Sequence, residues 1–126
     1  MKTLLDSTAI IHLSKHSNKM RDVFACYNIH ETSITRINYL EILAGSAENA
    51  KIEVRKFLHQ FPILEFDKKS YDIANRLAFK YRIGNKQKVD FLIASIAIAN
   101  KLPLLTENDK DFQFKEIKLL PYKISS

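Results

Sequence analysis

Five short apolar runs recur along this chain, at residues 3–5, 29–35, 62–66, 103–106 and 117–120, and the stretches between them carry apolar residues at helical spacing. Strand alternating with helix is the pattern of parallel pairing, because a parallel neighbour can be reached only by a crossover, which is right-handed and packs its helix on the sheet. We therefore expect an α/β chain with a mostly parallel sheet of four or five strands, helices on both faces, and residues 117–120 at an edge. Helices are expected after Asp6, where Ser7 and Thr8 offer capping hydroxyls, and at 18–26, 36–44 (ended by Gly45), 47–61, 70–81 and 90–100. The last is apolar nearly all round, so it should be buried. With only 2 Gly and 3 Pro, tight turns are too few for an all-β sandwich, and no Gly-rich phosphate loop is present.

At 126 residues the chain is read as one domain, 1–126. Cys26 is the only cysteine, which excludes an internal disulfide and suits a reducing cytoplasm. Asp6 stands where a signal peptide needs its apolar run, and the longest apolar stretch, 91–99, is about half a membrane span. A protein with no membrane association is expected.

Twenty Lys and Arg against 14 Asp and Glu leave a net charge of +6. That balance favours a polyanionic partner and suggests a passive nucleic-acid binder. The positions of the acids argue otherwise. Asp6 follows the first strand, at the sheet end where open α/β sheets hold ligands, although an Asp there also serves as an N-cap. Glu41 shares a helix face with Ile37, Leu40 and Ala44, which places a carboxylate either on a core face or, if the helix is rotated, at the edge of a solvated one. Asp90 is the sole charge from 89 to 100 and heads the most apolar helix, where a half-buried acid needs a cation. Thr106-Glu107-Asn108-Asp109-Lys110-Asp111-Phe112 follows a strand and reads as a polar loop when taken alone.

A parallel sheet brings such strand and helix ends to one edge. Carboxylates gathered there repel unless a cation lies among them, and an all-oxygen set without His or Cys points to Mg2+ or Mn2+. Such an ion makes a nucleophile of water and neutralises phosphate charge, the two requirements of phosphodiester hydrolysis.

Four segments, taken in order, carry a family resemblance: Leu4-Leu5-Asp6-Ser7-Thr8, residues 35–45 around Asn38 and Glu41, Asp90-Phe91-Leu92-Ile93-Ala94-Ser95-Ile96-Ala97, and residues 105–112. Together they resemble the PIN-domain family, in particular the VapC-type toxins of toxin–antitoxin pairs, over nearly the whole chain. The resemblance implies a three-layer α/β/α fold, a Mg2+- or Mn2+-dependent endoribonuclease acting on RNA, a small cognate antitoxin and a homodimer. Asp6, Glu41 and Asp90 fall on the family's three acids. The fourth falls on Asp111 or on Asn108, with Asp109 a further alternative; Asp111 is preferred as ligand and Asn108 as polar helper. Thr8, Asn38 and Thr106 would position substrate, Thr8 standing where the family often has Asn and Asn38 where it often has Thr. An RNA- or protein-binding module that has lost catalysis, and a PIN nuclease working outside a toxin–antitoxin pair, are the alternatives.

Three further features invite a function. His12 and His16 have metal-ligand spacing but no third ligand, so a helix surface is expected. Arg76, Lys80, Arg82, Lys86 and Lys88, interleaved with Phe79 and Tyr81, make either a solvated face or a rim that guides phosphate. Met20, Val23, Phe24 and Tyr27 form a stripe suited to core packing or, by the resemblance, to an antitoxin groove.

Overall fold

The computed structural model describes residues 1–125; Ser126, the last residue of the expected domain, lies outside the described residues. Five strands, β1 (Lys2–Leu5), β2 (Glu31–Thr35), β3 (Ile63–Leu64), β4 (Leu104–Thr106) and β5 (Leu119–Pro121), pair in parallel in the order β3-β2-β1-β4-β5. Six α-helices accompany them: α1 (Ser7–Lys15), α2 (Ser17–Tyr27), α3 (Arg36–Gly45), α4 (Lys51–Leu58), α5 (Lys68–Lys80) and α6 (Asp90–Ala99).

Alternation along the central strands builds two cores. Leu5 and Leu105 face one side and join Ala9, Ile10, Met20, Ile34, Tyr39 and Leu58, whereas Leu4 and Leu104 face the other and join Leu77, Ile93, Ala94, Ala97 and Phe112. Successive side chains of a strand point to opposite faces, so two adjacent leucines per strand suffice to bury both. The result is the three-layer α/β/α sandwich that the alternation and the resemblance implied. The sheet order reverses at β1, since the chain moves to β2 and β3 on one side and returns beside β1 as β4. The crevice beyond the carboxyl ends of β1 and β4 is thus the switch point at which such sheets bind ligands.

Several elements differ from the sequence reading. The single helix expected at 47–61 is a short 3-10 turn, Glu48–Ala50, followed by α4, and Ile52 is exposed. The β2 and β3 strands are shorter than the runs that announced them, because only the paired residues count as strand. Gly45 closes α3 without a positive φ, and the helix is capped by extended Ser46, so the glycine is not the left-handed cap expected of it. The Met20 stripe is core: Met20 is fully buried, and Val23, Phe24 and Tyr27 pack around it.

Candidate active site

Asp6 is set at the end of β1 by two demands. Its backbone starts α1, and its carboxylate is 4 % exposed. Oδ1 accepts the Ser7 backbone N–H at 2.8 Å and Oδ2 the Thr106 hydroxyl at 2.8 Å, from the end of β4. Asp6 is therefore the N-cap that the simplest reading supposed, and it is also a buried carboxylate with which no Lys or Arg pairs among the described residues. Burial raises its pKa; the two donors oppose that, and the charges of Glu41 and Asp111 add to the rise.

Thr106 is a junction. Its hydroxyl, while donating to Asp6, accepts the Asn108 backbone N–H at 2.9 Å, and the Asn108 side chain donates to Thr8 Oγ1 at 3.1 Å. Thr8, Thr106 and Asn108 are thus linked around Asp6.

On the β2 side, Thr35 and Asn38 close a capping box at the start of α3. Thr35 Oγ1 accepts the Asn38 backbone N–H at 2.9 Å and Asn38 Oδ1 accepts the Thr35 N–H at 3.1 Å. Both residues are fully buried. The free amide hydrogens of Asn38 reach Ser7 Oγ at 2.8 Å, and Ser7 donates its own hydrogen to Glu41 Oε1. A relay from Thr35 through Asn38 and Ser7 therefore holds Glu41. Ser7 entered the sequence reading as a helix cap and as part of the Leu4–Thr8 segment, with no role in the site; a hydroxyl placed directly after a site aspartate was the available signal.

Glu41 takes the second of the two placements open to it. The helix is rotated so that Asn38, Tyr39, Ile42 and Leu43 face inward, while Glu41 is exposed and Leu40 beside it is 56 % exposed. Of the face that could have met the core, Ile37 packs there, Leu40 and Ala44 are exposed, and Glu41 lines the groove beside Ser7.

Asp90 opens the first turn of α6, half-buried, and makes no capping bond. Among the described residues no Lys or Arg pairs with it. Burial, then the charges of Asp6, Asp111 and Glu41, push its carboxyl up to about 7. Asp111, half-buried on the 3-10 turn Asp109–Phe112, acts on both Asp6 and Asp90, whereas Asp109 is exposed and acts on neither. Asp6, Glu41, Asp90 and Asp111 thus form one acidic pocket. Among the described residues no three His, Cys, Asp or Glu side chains already close around a single point. The donor set nonetheless suits a hard divalent cation: oxygens only, mutually repelling, and without a basic partner to neutralise them.

The other features resolve plainly. His12 Nδ1 lies 2.8 Å from the Tyr122 hydroxyl, so it is a structural contact rather than a bare surface residue. Of the basic run, Lys80 pairs with Glu116 at 2.8 Å; Phe79 is 87 % exposed, and no carboxylate pairs with Arg82, Lys86 or Lys88 among the described residues. A groove of about 710 Å3 between α1, α3 and α4, lined by Ile10, Ile11, Ile42, Val54 and Phe57, opens beside Ser7 and Glu41. No helix among the described residues is long and apolar enough to cross a membrane.

The model of the PIN domain family matches residues 3–118. No curated protein matches the chain. Among solved structures, VapBC2 from Rickettsia felis bound to a DNA fragment from their promoter is similar at a TM-score of 0.76, with 23 % identity over 98 % of this chain and 100 % of that one. VapBC-1 from nontypeable Haemophilus influenzae gives 0.75, 22 % identity and 96 % and 98 % coverage. FitAcB from Neisseria gonorrhoeae gives 0.70, 20 % identity and 94 % and 96 % coverage.

Proposed function

The chain belongs to the PIN domain family, and from that premise we propose that it is a Mg2+- or Mn2+-dependent endoribonuclease, the toxin of a VapBC-type pair. The observation that carries the reading is Asp90, a half-buried carboxylate facing three other acids and no base. Asp6, Glu41, Asp90 and Asp111 would hold the cation. When bound, it would acidify water and neutralise phosphate charge during in-line displacement.

The chain's own residues do the rest. Thr106 and the Ser7 N–H fix both oxygens of Asp6, so that carboxylate needs no reorganisation when loaded. Asn38 and Ser7 orient Glu41. Asn108 and Thr8 stand at the rim with hydrogen-bonding groups for a phosphate or ribose. Arg82, Lys86 and Lys88, on the segment leading into Asp90, supply charge to hold an RNA backbone.

The fold likeness to VapBC complexes supports a cognate antitoxin, and the apolar groove beside Glu41 suits its docking. Residues 1–126 are taken as a single catalytic domain, acting in the cytoplasm as a homodimer.

Cleavage of total tRNA and a structured RNA should require Mg2+ or Mn2+, stop with EDTA, and be lost in Asp6→Asn. Activity indifferent to both would sink the reading. RNA bound tightly but never cut under any divalent ion would instead favour a binding module.

A further inference from the structure

Beyond β5 the chain continues as a strap, residues 122–125, that crosses from the sheet edge to α1. It is held at several points. The Tyr122 backbone N–H donates to the Thr106 carbonyl at 3.2 Å, and the Tyr27 hydroxyl donates to the carbonyl of Pro121 just before it. Tyr122 and Ile124 pack on the core beneath α1 and α2. His12 shares one hydrogen bond with the Tyr122 hydroxyl at 2.8 Å and another with Ser125 Oγ at 3.3 Å. The strongest fastening is Glu107, whose Oε2 accepts the backbone N–H groups of both Ile124 and Ser125, at 2.7 and 2.9 Å.

Glu107 lies between Thr106, which holds Asp6, and Asn108, which reaches Thr8. It is thus the first residue of the turn that delivers Asp111. A carboxylate accepting two backbone N–H bonds is a strong and directional anchor. Released from it, the turn would rest on the bonds of Asn108, on the Thr106–Tyr122 backbone bond before it, and on Phe112 and Phe114 packed against α6 to place Asp111. The nearby acids repel Asp111, so its position needs such restraint.

We propose that Glu107 is a positioning residue for the acidic pocket, clamping the turn that carries Asn108 and Asp111 to a strap locked on α1. The clamp rests on the nuclease reading only for its consequence in activity; its mechanical part stands alone.

The test compares wild type with Glu107→Ala and Glu107→Gln in the full chain. Hydrogen–deuterium exchange in EDTA should become faster at residues 108–112 and 122–125 in Glu107→Ala, with α5 and α6 unchanged. Mn2+ affinity should drop about tenfold, as for other residues that orient metal ligands, and kcat on RNA should fall with KM held. Glu107→Gln, which keeps an oxygen to accept the two N–H bonds, should restore most of each loss, an outcome that general destabilisation would not give. If Glu107→Ala fails to fold, Glu107→Asp takes its place, because the shorter side chain withdraws the accepting oxygen from the Ile124 and Ser125 N–H groups, and it should give the same faster exchange at 108–112 and weaker Mn2+ binding. Wild-type exchange at 108–112 in the alanine variant, or in Glu107→Asp where the alanine variant does not fold, overturns it. Faster exchange in a protein that never cuts RNA would uphold the clamp and reject the nuclease.

Discussion

Asp90 carries an electrostatic cost that the proposed chemistry would use. Its carboxyl is raised to about 7 from an ordinary 3.8, burial first and three neighbouring acids next. A folded acid with a raised pKa contributes its full stability below the unfolded value and loses it as pH rises through the folded one. Without a divalent ion, the protein should therefore lose stability between about pH 4 and pH 7 through this group. Asp90→Asn removes that penalty and should raise stability at pH 8 in EDTA by about 0.5–2 kcal/mol, as removal of functional strain commonly does. The same change should lower cleavage at least about 100-fold, since even residues behind a ligand cost up to that much. Thermal melts at pH 5.5 and pH 8, beside an RNA cleavage assay, read both. A variant destabilised at pH 8 would contradict the electrostatic account.

At the scale of elements, α3 carries the most information per residue. Its N-terminus is capped by Thr35, and the cap partner Asn38 passes the constraint through Ser7 to Glu41. Thr35→Ala removes a fully buried capping hydroxyl and should cost about 1–2 kcal/mol in denaturant unfolding. It should also reduce activity further than that loss implies, because Asn38 is freed to turn. Thr35→Ser keeps the hydroxyl and should stay near wild type in both measurements. The adjacent element is a contrast: α6 is buried through Ile93, Ala94, Ser95, Ile96 and Ala97, and only its first residue, Asp90, takes part in the pocket.

For the whole molecule, part of the acidic charge is set apart: five acids pair with Lys or Arg on the surface, while Asp6, Glu41, Asp90 and Asp111 gather beyond one end of the sheet. The net +6 is distributed over a surface whose acids are partly withdrawn into one crevice. RNA affinity should fall with rising salt, with a log–log slope of roughly −0.7 for each phosphate contacted. Arg82→Ala or Lys88→Ala should flatten that slope without altering divalent-ion affinity, as filter binding across 50–300 mM salt, paired with Mn2+ titration, would reveal. A slope unchanged in both variants would place the backbone contacts elsewhere.

Much of this was legible in the residues themselves. The strand–helix alternation dictated a parallel sheet covered on both faces, and the solitary Asp90 before an apolar helix marked a costly acid. Local sequence carries these because period, burial and chain direction are local properties. The rotation of α3 was left open: Ile37, Leu40, Glu41 and Ala44 share a face, but whether it meets core or solvent depends on how the helix docks on β2 and α1. The 3-10 break before α4 and the short β3 likewise follow from packing and partner strands. Nor could Ser7 be seen as a relay, or Glu107 as the anchor of a strap that follows 17 residues later. Sequence by itself determined which groups exist and which sheet edge they approach. Only the tertiary structure decided which acid stands near which, because repulsion, burial and hydrogen bonding act through distances that the order of residues along a chain does not set.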